Sequence, residues 1–362
     1  MRELDLFNGF YEGKKVMVTG HTGFKGGWLS LWLNQLGARV YGISHPPFPS
    51  PNLFEVIGQG TFERDGWMDV RVLAAVYYQI EEVMPDIIFH LAGQPIVSEA
   101  FESPLSTIET NTMGTLSVLE SVRRHKLKIP VVVITTDKVY DAHVQNCEET
   151  DDFSWSTPYS MSKVAAELAC DAYRNSYGLN VATARAGNVI GGGDYAANRL
   201  IPDCFRAFSE GKDVDLRQPF YLRPWQHVLD CICGYLKLGE NFISEAFNFG
   251  PDGPLAQVYM VALQFKERWP GRLGCSLLKR DPLCHEDRSL SLCSDKAKEK
   301  LGWAPRYDTR TAVRAAADWY IARHVEKNES MREFTINQIR EFVHYDPTNR
   351  PQRPPGAVAT QG

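Results

Sequence analysis

The amino-acid sequence predicts an α/β protein with a doubly wound parallel sheet and, later in the chain, a smaller mixed α/β lobe. Two observations support this prediction. Short apolar runs alternate with segments of helical period through the first half of the chain, and a glycine-rich turn joins the first such pair. Strands that alternate with helices in this way form parallel sheets through right-handed crossovers.

The first half of the chain supplies the strands of the predicted sheet. The strands are expected at 16–18, 40–43, a stretch that ends before Asp69, 87–90, 131–135 and 181–185. The helical segments between them include 28–33, 104–124 and 159–177.

The alternation stops beyond about residue 186. Glycine, proline and scattered aromatic residues dominate 187–224, as in loops that shape a ligand site. Residues 246–250 form one more apolar strand, and 255–270 and 309–325 have the pattern of amphipathic helices. The expected parts are a first domain over 1–186 with a return strand at 246–250, a second lobe mainly over 187–345, and a disordered tail over 346–362. The tail is expected to be disordered because it has little apolar surface to bury.

The composition excludes several classes of protein. The chain has 362 residues, 39 basic and 44 acidic side chains, and 44% hydrophobic residues. A nucleic-acid binder usually has a basic excess, and a chain with this composition is not disordered over its whole length. It has no apolar run of about 18 residues for a membrane span, and its first residues lack the apolar stretch of a signal peptide. We therefore expect a cytoplasmic globular protein that binds neither nucleic acid nor membrane.

The eight cysteines are widely dispersed and include no Cys-x-x-Cys pair. In a chain of this length such cysteines are expected to be reduced, mostly buried thiols. Their spacing predicts no metal site.

The turn after the first strand is the clearest signal of a ligand site. In KKVMVTGHTGFKGGWLSLWL, Gly20, Gly23 and Gly26 lie directly after a strand and at the start of a helix. There they let the backbone approach a pyrophosphate at the helix N-terminus. This context predicts a Rossmann-type dinucleotide site. The expected cofactor-binding residues of the turn are Gly20, Thr22, Gly23, Phe24, Lys25 and Gly26.

The carboxyl ends of the next strands should also contact the cofactor. The second strand ends in Ser44, without the acidic residue that commonly holds the adenosine ribose of NAD, so Ser44 is either a weaker ribose ligand or a loop residue. No arginine follows to bind a 2′-phosphate, and the choice between NAD and NADP stays open at this point. Asp69 is either a cofactor contact or a helix N-cap. The other expected contacts are Val70, Leu91, Ala92 and Gly93.

Tyr159 and Lys163 form a Tyr-x-x-x-Lys pair that lies on one face of a predicted helix. A nearby ammonium group favours the phenolate, so we expect Lys163 to lower the pKa of Tyr159 and make it a usable base. With the glycine turn, this pair predicts a short-chain dehydrogenase of the extended type.

A second polar cluster follows the strand 131–135. Thr136 can hydrogen-bond a substrate hydroxyl, Asp137 can give a proton, and Lys138 can take one if its surroundings depress its pKa. By itself the cluster would be interpreted as a solvated turn. Beside Tyr159 and Lys163 it is interpreted as part of a catalytic site.

Together the motifs resemble the CDP-glucose 4,6-dehydratases, a family of extended short-chain dehydrogenases that act on nucleotide sugars. The resemblance rests on VTGHTGFKGGWLSLWL, the TDK cluster, PYSMSK, ARAGNVIGGGD, RPWQHVLD and FNFGP, and extends from about Tyr11 to Ile321. It implies NAD as the cofactor, CDP-glucose as the substrate, and a homodimer or a higher homo-oligomer as the assembly.

The resemblance also implies a role for each catalytic residue. Tyr159, supported by Lys163 and Thr136, would remove the proton of the glucose C4 hydroxyl while a hydride leaves C4 for NAD. Lys138 would be the base at C5, where relatives that use thymidine sugars have Glu, and Asp137 the acid for the departing C6 hydroxyl. Hydride return to C6 gives a 4-keto-6-deoxy sugar without net redox change.

Substrate contacts are implied in the same way, with arginine suited to bidentate phosphate binding. The expected substrate-binding residues are Gln94, Asn188, Arg199, Arg223 and Asn248. Gln94 can equally be a packing residue. For His227 a structural role is favoured, because a single histidine carries little functional specificity.

One segment departs from the family pattern. After Gln-Pro the family usually has an Arg followed by Ser-Tyr, whereas residues 94–101 read QPIVSEAF. A positive charge and an aromatic hydroxyl near the sugar are therefore absent, and an acid is gained. This departure leaves the sugar and the nucleotide base open.

Two other functions compete with the dehydratase. A nucleotide-sugar 4-epimerase or decarboxylase shares the glycine turn and the Tyr/Lys pair, but an epimerase needs no acid or base at C5 and C6. A dinucleotide-binding regulator without activity would not need the intact catalytic residues. The helices 104–124 and 159–177 resemble those of a four-helix dimer interface, although their periodicity equally fits the core of a monomer.

Overall fold

The computed structural model describes residues 3–58, 60–141, 144–271, 274–277 and 289–346. The predicted tail lies outside the described residues, apart from Asp346. The described strands β1 to β13 are Lys15–Thr19, Arg39–Ser44, Arg64–Trp67, Ile87–His90, Val131–Ile134, Val181–Ala186, Val189–Ile190, Val214–Leu216, Leu222–Arg223, Gln226–His227, Ala246–Phe249, Ala256–Gln257 and Cys275–Leu277.

The described helices α1 to α13 are Phe24–Gln35, Leu53–Ile57, Leu73–Val83, Val97–Glu102, Pro104–Ile108, Gly114–Arg124, Pro158–Tyr177, Leu200–Ser209, Val228–Asn241, Val258–Arg268, Asp295–Leu301, Thr309–Tyr320 and Met331–His344. A π-helical turn, Glu109–Met113, joins α5 to α6, so that the predicted helix 104–124 is realised in three pieces. Another π-helical turn, Ile321–Val325, extends α12.

The main sheet runs β11-β6-β5-β4-β1-β2-β3 in the described part of the chain, and all neighbouring strands are parallel. The order reverses beside β1, since β2 pairs on one side of it and β4 on the other. Ligands bind at such a reversal, outside the carboxyl ends of the strands. This arrangement confirms the predicted doubly wound parallel sheet.

Both faces of the sheet are covered by apolar side chains, because successive residues of a strand point to opposite faces. In β1, Val16 and Val18 pack into one core with the buried Trp28 and Trp32 of α1. Met17 between them packs into a second core, with residues from α3, α6 and α7. The central strands are therefore buried along almost their whole length.

The later part of the chain packs around α8, α10 and α12, with the two-stranded sheets β8–β13 and β9–β12 beside them. The segments 255–270 and 309–325 contain α10 and α12, as their periodicity predicted. The described cysteines are free thiols, and Cys284 lies outside the described residues. Among the described residues, no helix is both long and apolar enough to cross a membrane.

Candidate active site

A cleft of about 970 Å³ lies along the carboxyl ends of the strands. It brings together most of the residues that the sequence predicted to bind or react. The predicted site residues that line it are Gly20, Thr22, Gly23, Phe24, Lys25, Gly26, Ser44, Val70, Leu91, Ala92, Gly93, Thr136, Asp137, Lys138, Tyr159, Lys163, Asn188, Arg199 and Arg223.

The glycine turn is closed by its own backbone. A Cβ atom on Gly26 would lie 2.1 Å from the carbonyl oxygen of Gly20, and one on Gly20, whose φ is +73°, would lie 2.6 Å from the backbone nitrogen of Ala92. Helix α1 follows directly, with Gly23 as its N-cap and no acidic residue in its first turn. A turn of this shape, ending in an uncompensated helix N-terminus, fits a pyrophosphate group.

Hydroxyl groups occupy the end of β2, where NAD-binding sites of this kind commonly have an acid. The Oγ atoms of Ser44 and Thr22 are 2.8 Å apart, and Thr22 also donates to the carbonyl of His45 at 3.2 Å. Both side chains line the cleft. Asp69 does not line it, because its carboxylate is paired with Arg71 at 2.6 Å and accepts from the Arg71 backbone nitrogen.

Helix α7 carries the Tyr/Lys pair into the cleft. It begins with a capping box between Thr157 and Ser160, and its first two turns carry Tyr159 and Lys163, which are 6% and 9% exposed. The Lys163 ammonium donates to the carbonyl of Ile134 at 3.2 Å. Burial, together with the positive charge of Lys25, lowers the pKa of Lys163 to about 8.

The expected lowering of the Tyr159 pKa was wrong for this structure. Burial raises the pKa of Tyr159, and neither its hydrogen bond with Thr136 nor the positive charge of Arg199 outweighs that effect. The Lys163 ammonium, which was expected to lower this pKa, is directed to a backbone carbonyl at the end of β5. Buried phenolate also loses the hydration that stabilises its charge.

Asp137 and Lys138 begin a short 3₁₀ turn, Asp137–Val139, at the end of β5. Asp137 is 5% exposed and accepts from the Thr136 hydroxyl at 3.1 Å. Burial raises the pKa of Asp137, although the charges of Lys138 and Arg223 oppose the rise. A carboxyl group with a raised pKa suits a proton donor.

A buried ion pair stabilises the segment that follows β5. Glu167 of α7 and Arg185 of β6 lie 2.9 Å apart with side chains 1% and 3% exposed. Glu167 also accepts from Thr135 at 2.5 Å, and Arg185 donates to the Tyr140 hydroxyl at 2.6 Å. Burial alone would raise the pKa of Glu167, but Arg185 and the hydroxyl donors hold it below its usual value. The pair therefore fixes the residues on both sides of Thr136, Asp137 and Lys138.

The predicted substrate contacts divide into two groups. Arg199, which lies 3.4 Å from Asp194, lines the cleft together with Asn188 and Arg223. Gln94 and Asn248 do not line it.

The amides of these two residues are used inside the fold. The Gln94 amide donates to Ile96 and Thr107, whereas that of Asn248 is fully buried and bonds Tyr140 and Cys147. His227 is also buried, and its Nδ1 accepts from the Leu229 backbone at the start of α9, which agrees with a structural role.

Sequence reasoning missed several residues that line the cleft, among them Asp194, Arg217 and Gln218. Asp194 ends the GGGD run that follows β7, and the rule that strand ends face the ligand could have found it. Arg217 and Gln218 follow β8, which has three residues and gives too short a pattern to be recognised.

The segment that departs from the family pattern forms part of the cleft wall. Pro95, Ile96, Val97, Ser98 and Phe101 all line the cleft, and Ser98 accepts from the amide of Asn198 at 3.4 Å. This wall is mainly apolar. In this segment the sequence lacks the arginine and the tyrosine of the family pattern.

The fold and the cleft define a dinucleotide-dependent enzyme of the extended short-chain dehydrogenase type. The family model of the NAD dependent epimerase/dehydratase family matches residues 16–250. The chain belongs to this family.

Similar proteins agree with this assignment. A CDP-glucose 4,6-dehydratase of Salmonella typhimurium is 39% identical over 331 residues, which are 86% of this chain and 92% of the relative. Among solved structures, an epimerase of Methanothermobacter thermautotrophicus has a TM-score of 0.80 at 24% identity and covers 90% of this chain and 97% of its own. A dTDP-glucose 4,6-dehydratase of Bacillus anthracis in complex with NAD has a TM-score of 0.74 at 21% identity, with 89% and 100% covered.

Proposed function

We propose that the protein catalyses the dehydration of CDP-glucose to CDP-4-dehydro-6-deoxyglucose with NAD as a recycled cofactor. One observation carries the proposal: Asp137 and Lys138 lie in the same cleft as Tyr159 and Lys163. Proton transfer at C4 needs only Tyr159 and Lys163, whereas loss of water across C5 and C6 needs an additional acid and base. The CDP-glucose 4,6-dehydratase of Salmonella typhimurium, at 39% identity, supports the choice of substrate.

When bound, NAD supplies a reversible hydride acceptor. Tyr159 takes the proton of the C4 hydroxyl, and its hydrogen bond with Thr136 orients the phenol for that transfer. The resulting ketone acidifies the C5 proton, which Lys138 removes. Asp137 gives its proton to the departing C6 hydroxyl, which leaves as water. C6 then takes back the hydride that left C4, and Lys138 returns a proton to C5, so the substrate loses one water molecule and the cofactor ends in its starting oxidation state.

The raised pKa of Asp137 fits its role in this scheme. Burial favours the neutral carboxyl, which supports the assignment of Asp137 as the proton donor of the elimination step. Arg199 and Arg223 would bind the diphosphate, and their position in the cleft together with Asn188 supports this role. We do not assign Gln94 and Asn248 a direct substrate contact, since their amides are engaged within the protein.

The substrate is tested by incubating the purified protein with CDP-glucose and a catalytic amount of NAD. Mass spectrometry should find a product lighter by one water, and NMR should find a new 6-methyl group and a C4 carbonyl. If CDP-glucose stays unchanged while another nucleotide sugar is dehydrated, CDP-glucose is not the substrate. The altered wall around Ser98 and Phe101 would then account for the different specificity. Inversion at C4 without loss of water would instead identify a 4-epimerase.

The role of Tyr159 is tested by Tyr159→Phe. Turnover should fall by at least about 10²-fold, because the proton acceptor at C4 is lost. Dinucleotide binding, measured by calorimetry on the same preparation, should persist. Tyr177→Phe is the matched control, since Tyr177 lies on the same helix with its side chain exposed. Undiminished turnover in Tyr159→Phe would refute the assigned role.

The remaining expectations extend this proposal. The division into a cofactor-binding domain over 1–186 and a substrate lobe mainly over 187–345 agrees with the distribution of cleft residues, because the glycine turn and the arginines come from different parts. A homodimer through α5, α6 and α7 would cover the exposed apolar side chains Leu105, Met113 and Leu168. A cytoplasmic location would supply both NAD and the nucleotide sugar.

A further inference from the structure

The end of the cleft beside β2 and β3 does not itself explain how the protein chooses between NAD and NADP. The adenosine ribose of a dinucleotide lies at the end of the second strand in this fold, where an acid favours NAD and an arginine accommodates the 2′-phosphate of NADP. Within 44–53 and 68–72, the described residues that line the cleft include no Asp, Glu, Lys or Arg. The charges that could decide the choice must therefore lie just behind this lining.

Arg71 lies in that position. The backbone nitrogen of Met68 donates to the carbonyl of Ser44 at 2.8 Å, so the segment after β3 runs beside the end of β2. One oxygen of Asp69, Oδ2, is 3.8 Å from Nε2 of the cleft-lining His45 and 2.6 Å from Nη2 of Arg71. The sequence has no arginine directly after β2, but the fold brings one to this place from beyond β3.

Two carboxylates hold the guanidinium of Arg71. Its Nε donates to both oxygens of Asp69, at 3.0 and 2.8 Å, and its Nη2 donates to Asp69 Oδ2. Its Nη1 donates at 3.0 Å to Glu109, the first residue of the π-helical turn between α5 and α6. The Arg71 side chain is 36% exposed, so a ligand can still reach it.

The charges of this group add up to a negative site. Asp69 and Glu109 bring two negative charges to the single positive charge of Arg71. A 2′-phosphate at the adenosine ribose would meet this excess of negative charge, and it would have to displace a carboxylate to bind the guanidinium. A 2′-hydroxyl carries no charge and meets neither obstacle.

We propose that Asp69 and Glu109 make the protein select NAD over NADP, because they hold Arg71 in ion pairs that a 2′-phosphate would have to break. The negative charge that other sites carry at the end of β2 is thus supplied from beyond β3 and from the π-helical turn. The inference concerns the cofactor alone. It applies whichever nucleotide sugar the protein uses.

Calorimetric titration of cofactor-free protein with NAD and with NADP tests the proposal. Asp69→Asn combined with Glu109→Gln removes both negative charges and keeps the oxygen that accepts from the Arg71 backbone nitrogen. The affinity for NADP relative to NAD should rise about tenfold, since the site changes from negative to positive. The rise should shrink at about 1 M salt, because the group is partly exposed. Adding Arg71→Met to the double variant should abolish the rise.

Glu63→Gln is the matched control. Glu63 forms an ion pair with Arg39 at 2.9 Å, at the opposite, amino end of β2, and its loss should leave the ratio of the two affinities unchanged. If the double variant does not fold, Glu109→Gln alone takes its place and should give a smaller rise, since it leaves the turn at Asp69 intact.

Three results would overturn the inference. They are an unchanged ratio in a folded double variant that binds NAD, an equal loss of affinity for both dinucleotides, and a rise that persists when Arg71→Met is added. The proposed dehydration is judged separately, by turnover of CDP-glucose. A raised ratio in a protein that leaves CDP-glucose unchanged would retain this inference and reject the proposed function.

Discussion

The glycine turn after β1 and the polar segment 135–140 after β5 end two strands of the same sheet, yet they are stabilised in different ways. The turn is shaped by contacts of its own backbone, since Gly26 packs on the carbonyl of Gly20. The polar segment is held by side chains from α7, β6 and β11, through Glu167, Arg185 and Asn248. The glycine turn therefore depends on steric fit, whereas the polar segment depends on buried charge.

The largest effect is expected at the turn. Gly26→Ala would place a methyl group 2.1 Å from a backbone oxygen, and no flexible side chain can move to relieve the contact. We expect a loss of about 4 kcal/mol or more in the free energy of unfolding, together with loss of dinucleotide binding. Chemical denaturation measures the free energy of unfolding, and calorimetry measures dinucleotide binding.

Gly66→Ala is the matched control for that variant. The nearest atom to its new Cβ would be a methionine side-chain carbon at 3.4 Å, with Gln79 Oε1 at 3.8 Å and the Gly42 carbonyl oxygen at 3.9 Å, and all three are ordinary contacts. Stability close to that of the unaltered protein is expected. A Gly26→Ala variant that folds and binds NAD normally would show that the turn does not depend on steric fit.

A somewhat smaller effect is expected beneath the polar segment. Glu167→Gln removes the charge that compensates Arg185, whose guanidinium would stay buried without its ion-pair partner. The free energy of unfolding should fall by about 3 kcal/mol. Denaturant titration measures the loss, and Glu82→Gln is its control, because the ion pair of Glu82 with Arg64 is exposed to solvent and should contribute little to stability. Equal losses in the two variants would contradict the role assigned to buried charge.

The smallest effect is expected for a single neutral hydroxyl in the same network. Tyr140→Phe removes the group that donates to Asn248 at 2.8 Å and accepts from Arg185. Arg185 keeps its bonds to Glu167, so we expect a loss of about 1 to 2 kcal/mol. Tyr78→Phe on an exposed tyrosine should be silent in the same denaturation experiment. A loss as large as that of Glu167→Gln would show that the hydroxyl, and not the ion pair, dominates the network.

Much of the fold was predictable because its signals are local. The apolar runs of β1, β4 and β5 identify buried parallel strands, and the glycine spacing identifies the turn, since both patterns act within a few neighbouring residues. The short strands that shape the substrate side were not predictable. β8 and β9 have three and two residues and exist only because partners far along the chain pair with them.

The site shows the same division between what the sequence and the tertiary structure determine. The sequence by itself determined the fold class, the glycine turn and the identity of the residues Thr136, Asp137, Lys138, Tyr159 and Lys163, because each is contained in a short contiguous motif. Only the tertiary structure decided that the Lys163 ammonium points to a carbonyl of β5 and that the Asn248 amide bonds Tyr140 and Cys147 inside the fold. These properties depend on burial and on distances between residues that are remote in the chain, and no local pattern encodes either.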